Sequence, residues 1–257
     1  MKEIVIGKND AGQRLDRFLA KSVPLLPGSL CQKYIRCKRI KRNGGRAKQD
    51  DRLAQGDVLQ LYIGDEFFQA PNEENGYLAV AVPRVKVLYE DENLLLADKP
   101  AGQPVHPHEG SRPGTSLIEH IQAYLWKQGE WDPTGEATFA PALCNRIDRN
   151  TGGIVIAAKN AEALRILNEK IKSRELDKRY LCVVHGTPKP RAGTLSGYLF
   201  KDAKNNRVYV TEQSQKGAKT AVTKYETLKT KNGLSLVECE LRSEEHTSEL
   251  QSLAYLV

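Results

Sequence analysis

A polar stretch, Asn145-Arg-Ile-Asp-Arg-Asn-Thr-Gly-Gly153, leads directly into the apolar run Ile154-Val-Ile-Ala-Ala158. A short apolar run that follows glycines predicts a buried β-strand, and the two glycines allow a tight turn or the close approach of a ligand. Just before that turn, Asp148 lies between Arg146 and Arg149, whose charges favour an ionised carboxylate. The stretch predicts either a catalytic nucleophile or base held on a loop, or an Asp-capped turn that arginines bridge.

Residues 84–241, which surround this stretch, combine helical and strand-like patterns. Apolar residues recur at helical spacing in residues 115–128 and 161–173. Strand-like patterns occur in five further segments: 85–89, 93–97, 180–184, 219–228 and 234–241. A β-rich mixture with a few helices predicts an α+β domain with a mixed, mainly antiparallel sheet and flanking helices.

The N-terminal part of the chain predicts a small separate module. Leu15, Phe18 and Leu19 share one helical face, and Ser29 is a candidate N-cap for a second helix. Residues 58–63 alternate like a strand, and the residues after them lose periodicity, which predicts a linker. The predicted organisation is a module at 1–63, a linker at 64–83, a larger domain at 84–241 and a tail at 242–257.

Positive charge is concentrated in one segment. The 257 residues include 39 Lys and Arg against 32 Asp and Glu, a net charge of +7. Eight basic residues without an acidic neighbour form what we call the basic stripe: Lys33, Arg36, Lys38, Arg39, Lys41, Arg42, Arg46 and Lys48. A stripe without counter-charges predicts a polyanionic partner, most often nucleic acid, in preference to a merely solvated surface.

Composition and motifs argue against several other classes. No apolar run approaches the ~18 residues of a membrane helix, and the N-terminus lacks the apolar core of a signal peptide, so neither a membrane nor a secreted protein is expected. The five cysteines contain no C-x-x-C pair, which favours a reducing cytosol. His106 and His108 have no third ligand nearby, and no phosphate-binding glycine loop is present, so neither a metal nor a nucleotide cofactor is predicted.

Four segments occur in a characteristic order: Gln13-Arg-Leu-Asp-Arg-Phe-Leu19, Glu92-Asn-Leu-Leu-Leu-Ala-Asp-Lys-Pro-Ala-Gly-Gln-Pro-Val-His-Pro107, the stretch 145–153 and Lys178-Arg-Tyr-Leu-Cys-Val-Val-His-Gly186. The first resembles the S4 RNA-binding module, and the others resemble motifs of the RluA-type pseudouridine synthases, to which S4 is often fused. This resemblance covers nearly the whole chain up to Leu241. It implies an enzyme that isomerises uridine in structured RNA, with ribosomal RNA as the main class. The protein is expected to be a cytoplasmic monomer without a cofactor or metal.

The resemblance also assigns individual roles. It makes Asp148 the catalytic nucleophile, Arg146 the side chain that fills the space left by the flipped base, and Tyr180 the aromatic residue that packs against that base. Flipping a base costs a few kcal/mol, and an aromatic face contributes ~1–3 kcal/mol towards it. A similar tetrapeptide occurs at residues 14–17, where Asp16 is expected to be an ordinary helix charge.

The chain departs from the family pattern in two places. In the catalytic loop, Asn145 replaces a His, and Asn150 and Gly152 replace Asp and Ser, changes that we expect to tune activity. After Leu241 the family would continue with a Gly-Arg-Thr-His-Gln-Ile-Arg-like motif, but Arg242-Ser-Glu-Glu-His-Thr-Ser-Glu-Leu-Gln-Ser252 resembles the translation of a sequencing-library adapter. A truncated domain with a non-native tail is therefore expected, in a chain that binds RNA without turnover.

Two other functions remain open from the residues alone. One is a non-catalytic S4-type RNA-binding protein whose second domain is a scaffold. The other is a nucleoside or glycoside hydrolase, which normally needs a second, suitably spaced carboxyl group. The sequence shows no convincing partner for Asp148 in that role, so the synthase is the preferred prediction.

Overall fold

The computed structural model describes six parts of the chain: residues 1–68, 76–133, 135–202, 207–211, 213 and 218–241. The chain divides into two compact units, Met1–Glu169 and Lys170–Val257. Within the described residues, four α-helices and three antiparallel sheets confirm the predicted α+β class. None of the described helices has the length and apolarity needed to cross a bilayer.

The first unit begins with a small sheet and two helices that share one core. The elements are β1 (Lys2–Val5), α1 (Leu15–Ser22), α2 (Gly28–Arg36), β2 (Ile40–Arg42), β3 (Gly45–Arg46) and β4 (Val58–Leu61). The strands pair in the order β1-β4-β2-β3, and Leu15, Phe18 and Leu19 are buried in this core, which confirms the predicted helical face. The predicted N-cap is wrong, because α2 starts after Pro27 and Ser29 therefore lies in the first turn of the helix.

A second sheet in the same unit carries the polar stretch. Its elements and the helices around it are β5 (Val87–Glu90), β6 (Leu94–Lys99), α3 (Leu117–Gln128), β7 (Ala142–Leu143), β8 (Gly153–Ala158) and α4 (Ala161–Lys172). The strands pair in the order β5-β6-β8-β7. A capping box between Ser116 and Glu119 starts α3, and Gly129, with φ 75°, ends it. The sequence predicts five of these six elements to within a few residues, and it does not predict the two-residue strand β7.

Polar contacts join the N-terminal module to this second sheet within the first unit. Asn9 Nδ2 donates to Glu136 Oε1 at 2.6 Å, and Asn9 Oδ1 accepts from the Ala161 N–H at 3.1 Å. The buried carboxylate of Asp10 accepts hydrogen bonds from Gln13 and Thr138. These contacts fix the module beside the loops of the second sheet.

Part of the predicted linker packs on α3. Tyr77 is buried, and its ring makes edge-to-face contacts with Trp126, at 5.6 Å between ring centroids, and with Trp131, at 5.1 Å. Such aromatic pairs add to the stability that burial provides. Residues 69–75 of the predicted linker lie outside the described residues.

The second unit is built on one antiparallel sheet. Its strands are β9 (Arg179–His185), β10 (Ala192–Asp202), β11 (Arg207–Thr211), β12 (Lys219–Lys231) and β13 (Leu234–Leu241), in the order β11-β10-β12-β13-β9. Asn232 and Gly233, both with positive φ, form the two-residue turn between β12 and β13. The sequence patterns do not predict β10 or β11, and the predicted tail at 242–257 lies outside the described residues.

Candidate active site

Residues 144–152, which we call the catalytic loop after the role predicted for Asp148, connect β7 to β8 at the edge of the second sheet. Ile147 is only 5% exposed and anchors the middle of the loop, while Arg146 and Arg149 are exposed. Asp148 is half-buried, and its carbonyl oxygen accepts a hydrogen bond from the Thr151 N–H at 3.1 Å. The buried isoleucine and this turn hold the backbone on both sides of a carboxylate that solvent can partly reach.

Asn145, the first departure from the family pattern, extends the pairing of β7 with β8. Its Oδ1 accepts from the Ile156 N–H at 2.8 Å, and its Nδ2 donates to the Ile154 carbonyl oxygen at 3.3 Å. The neighbouring Cys144 N–H donates to the carbonyl oxygen of the same Ile156 at 2.8 Å. The side-chain amide thus continues the strand ladder towards the catalytic loop, a structural role that the sequence does not reveal.

The loop accepts a hydrogen bond from a buried lysine, Lys99, for which the sequence patterns above predict no role. Lys99 is 0% exposed. Its Nζ donates to three carbonyl oxygens, those of Pro100 at 2.9 Å, Gln103 at 2.8 Å and Arg149 at 3.1 Å. A buried ammonium group is tolerated only when its donors are satisfied, so these bonds tie the catalytic loop to the segment after β6. The signal was visible, because Lys99 follows Ala97 on the buried face of β6.

Gly102 and Arg149 make a second connection between the same two segments. The Gly102 N–H donates to the Arg149 carbonyl oxygen at 2.7 Å, and Arg149 Nε donates to the Gly102 carbonyl oxygen at 3.0 Å. Gly102 has φ 93°, a conformation that strains residues with a side chain. The backbone next to Asp148 is therefore fixed by neighbouring chain as well as by its own turn.

The pair His106 and His108 belongs to no larger group of metal-ligating side chains among the described residues. Burial lowers the pKa of His106, and the charge of Arg146 lowers it further, so this half-buried imidazole is neutral near pH 7. In the part of the chain that the structure describes, no three His, Cys, Asp or Glu side chains are grouped so that they could hold a metal ion.

Two thiols, those of Cys144 and Cys239, are unsuited to nucleophilic chemistry. Burial raises the pKa of Cys144, beside the catalytic loop, to about 11. It raises the pKa of Cys239, on β13, to about 12. Thiols with such pKa values stay protonated at neutral pH, and the thiolate is the reactive form.

Tyr180, the third predicted site residue, belongs to the second unit. It lies on β9 opposite Cys239 of β13 and is half-buried. Its neighbours on the other face of the strand, Leu181 and Val183, are each 64% exposed. Arg146 and Asp148 thus come from one loop of the first unit, and Tyr180 comes from an edge strand of the second.

The basic stripe follows α2, the turn after it and the β2-β3 hairpin. Six of its residues are exposed: Lys33, Arg36, Lys38, Arg39, Arg46 and Lys48. Two tyrosines are interleaved with the charges, with the Arg39 guanidinium 5.1 Å from the Tyr34 ring centroid and Lys41 Nζ 5.2 Å from that of Tyr62. Cations beside aromatic faces are a common arrangement at surfaces that bind single-stranded nucleic acid.

Arg42 differs from the rest of the stripe. Its Nη2 lies 2.7 Å from Oδ2 of Asp57, whose side chain is 8% exposed. Burial acts to raise the pKa of Asp57, but hydrogen bonds from the Ala54 N–H, Asn43 and Arg42 outweigh it and lower the pKa. The Arg42 charge therefore balances a carboxylate inside the module.

The look-alike tetrapeptide at residues 14–17 has the ordinary role predicted for it. Asp16 lies in the first turn of α1, and its Oδ2 is 2.6 Å from Arg14 Nη2. The hydrogen bond from Arg14 lowers the pKa of Asp16. An acidic residue is favourable at this end of a helix, so Asp16 needs no catalytic explanation.

A comparison with protein families matches residues 93–244 to the family described as RNA pseudouridylate synthase. The matched residues include Lys99, the catalytic loop and Tyr180. The chain belongs to this family. The predicted resemblance to the RluA-like pseudouridine synthases is confirmed at this level, and so is the prediction of an isomerase that acts on RNA.

Curated relatives of this family match most of the chain. An uncharacterized RNA pseudouridine synthase of Mycoplasma genitalium is 30% identical over 227 residues, which cover 87% of this chain and 68% of the relative. The ribosomal large subunit pseudouridine synthase C of Haemophilus influenzae is 30% identical over 219 residues, 84% of this chain and 64% of the relative. The chain therefore spans about two thirds of the length of these relatives. The solved human RNA pseudouridylate synthase domain containing 4 aligns with a TM-score of 0.48 and 24% identity, over 65% of this chain and 62% of that chain.

Proposed function

We propose that this protein isomerises uridine to pseudouridine in ribosomal RNA and uses Asp148 as its catalytic nucleophile. The observation that carries the proposal is the family match across a loop in which a half-buried carboxylate lies between two exposed arginines. The names of the relatives from Yersinia pestis and Haemophilus influenzae, both called ribosomal large subunit pseudouridine synthase C, support ribosomal RNA as the substrate class.

The reaction is within reach of a single carboxylate. The bond between ribose C1′ and uracil N1 breaks, a bond between C1′ and C5 forms, C5 loses a proton and N1 gains one. Atoms balance without an oxidant or a second substrate. Asp148 either adds covalently to the nucleoside or assists departure of the base and removal of the C5 proton. The proposal therefore includes no cofactor and no metal.

The uridine has to leave its stack before it can react. Arg146, exposed and two residues before Asp148, is placed in the sequence to enter the space that the base vacates. Tyr180 provides an aromatic face for the flipped base, an interaction of ~1–3 kcal/mol that offsets much of the few kcal/mol that unstacking costs. Both roles come from the family resemblance.

The N-terminal module is proposed to be an S4-like RNA-binding domain. Six exposed cations and two interleaved tyrosines support this assignment, and the contacts of Asn9 and Asp10 hold the module beside the catalytic sheet. We further propose a cytoplasmic location, because a reducing compartment suits the five free thiols, and a monomeric state.

Neutralising exposed residues of the basic stripe is expected to weaken RNA binding and flatten its salt dependence. In the double variant Lys38→Gln, Arg39→Gln, each lost phosphate contact should reduce the slope of log binding constant against log salt concentration by about 0.7 to 0.9. The slope is measured by titration of a fluorescent ribosomal RNA fragment at several salt concentrations.

The matched control removes two exposed charges from the other edge of the same small sheet and the loop after it, Lys2→Gln with Lys8→Gln. Its slope should stay close to that of the unaltered protein. Equal slopes for all three proteins would show that the basic stripe is a solvated surface.

The segment 242–252 is proposed to be non-native. The support is its resemblance to a translated adapter and the absence of a family-like motif after Leu241. The family match ends at residue 244 and does not extend through the segment. On this proposal the 257-residue chain, which we call the printed chain, binds RNA but lacks turnover. The protein encoded by the gene without the non-native segment, which we call the gene product, is active.

The test is pseudouridine mapping on large-subunit ribosomal RNA transcribed in vitro, after incubation with the gene product or with the printed chain. New pseudouridine at one or a few positions with the gene product supports the synthase. Its absence, with RNA binding retained, would favour the alternative of a non-catalytic S4-type RNA-binding protein. Robust turnover by the printed chain would contradict the proposal about its tail alone.

A further inference from the structure

A cavity of about 400 Å³ opens beside the catalytic loop, within the first unit. Its lining includes the segment from Gly102 to Pro104 and residues of the loop that carries His108 and Arg112. Arg149, the residue after Asp148, also lines it, whereas Asp148 does not. The cavity therefore lies next to the proposed nucleophile without enclosing it.

The lining of this cavity is cationic and rich in hydrogen-bond donors. Arg112 and Arg149 contribute guanidinium groups, and no carboxylate is found among the described residues that line it. Glu109 belongs to the same loop but is not part of the lining. The Ser111 hydroxyl accepts a hydrogen bond from the His108 N–H at 3.1 Å, so its own proton remains available to a ligand.

Hydrogen bonds hold in place both segments that line the cavity, residues 102–104 and the loop of Arg112. The two hydrogen bonds between Gly102 and Arg149, described above, hold Arg149 in place. The Thr115 hydroxyl donates to the Arg112 carbonyl oxygen at 2.8 Å, and the Leu117 N–H donates to the Pro104 carbonyl oxygen at 2.9 Å. A lining whose backbone is ordered before binding loses less free energy when a ligand binds than a flexible surface loop does.

We propose that this cavity binds a backbone phosphate of the substrate RNA, beside the nucleotide that is isomerised. Two guanidinium groups and a hydroxyl donor match a phosphodiester, which is anionic and accepts hydrogen bonds. The position of Arg149 directly after Asp148 places that phosphate next to the target nucleotide. The inference rests on the proposed function and names a part of the substrate that the catalytic loop alone does not hold.

The test is the salt dependence of RNA binding by Arg112→Gln in the full chain. With the ribosomal RNA fragment used above, the log–log slope should fall by about 0.7 to 0.9, the value for one lost phosphate contact. Arg112→Lys should restore most of the slope. Arg84→Gln, which removes an exposed arginine of the same unit outside the cavity, should leave it unchanged. An unchanged slope for Arg112→Gln would overturn the proposal.

Inorganic phosphate serves as the second probe, because a free anion has the same chemistry as a phosphodiester. Saturable phosphate binding that Arg112→Gln abolishes, together with an unchanged RNA slope, would overturn the RNA assignment in favour of a free-anion site. Pseudouridine formation by the uninterrupted gene product is measured separately. Its absence would contradict the proposed function, whereas normal formation with an unchanged Arg112→Gln slope would contradict the phosphate site alone.

Discussion

Asp148→Asn is expected to lower pseudouridine formation by about 10³-fold or more while RNA affinity stays within a few-fold. The amide keeps the shape of the side chain, and the Ile147 anchor and the Thr151 hydrogen bond to the backbone of residue 148 remain in place. An amide, however, can neither attack a nucleoside nor accept its proton as a carboxylate does. Turnover is measured by mass spectrometry of the digested RNA, and affinity by titration.

The control is Asp16→Asn in the look-alike tetrapeptide. This change removes an ion pair with Arg14 at the start of α1 and should leave turnover almost intact. Both variants are made in the uninterrupted gene product, because the proposed non-native tail would hide the comparison. Persistent turnover by Asp148→Asn would exclude the assignment of the nucleophile.

Local patterns in the sequence predict much of the secondary structure, because the spacing of apolar residues within one helix or strand is visible without knowledge of its partners. The apolar face of α1, with Leu15, Phe18 and Leu19, can be read from helical spacing, and β8 can be read from an apolar run after glycines. The patterns do not predict strands β10 and β11. In the structure, β10 pairs with both β11 and β12. Their pairing depends on contacts between residues far apart in sequence, which spacing along a single strand does not encode.

The candidate site residues were predicted from a motif, and a motif points to candidate reacting groups more readily than to the residues that support them. Asp148 and Arg146 stand out because of their charge and their glycine neighbours. Asn145 reads as a polar loop residue until its amide is seen bonded to β8. Arg42 reads as part of the basic stripe until Asp57 is found beside it. In each case the decisive partner lies on another segment, 9 to 15 residues away along the chain, so only the folded chain identifies the role.

Lys99→Met is expected to destabilise the first unit by about 3 kcal/mol or more. Methionine fills similar space but cannot donate hydrogen bonds, so the carbonyl oxygens of Pro100 and Gln103 lose the ammonium group, while that of Arg149 keeps only its bond from the Gly102 N–H. Each buried acceptor that loses its partner costs about 1–3 kcal/mol. Since one of the three belongs to the residue after Asp148, turnover should fall as well. Denaturant unfolding followed by circular dichroism measures the loss of stability.

Lys86→Met provides the matched control for this change. Lys86 forms an ion pair with Asp98 at 2.7 Å, but its side chain is 72% exposed. Surface pairs of this kind contribute about 0–1 kcal/mol, so the control should unfold close to the unaltered protein. The same substitution is thus made at a buried ammonium group that bonds to the catalytic loop and at an exposed one that forms only a surface ion pair. Comparison of the two variants isolates the effect of the buried hydrogen bonds. If Lys99→Met were no less stable than Lys86→Met, the hydrogen bonds of Lys99 would not be what holds the loop beside Asp148.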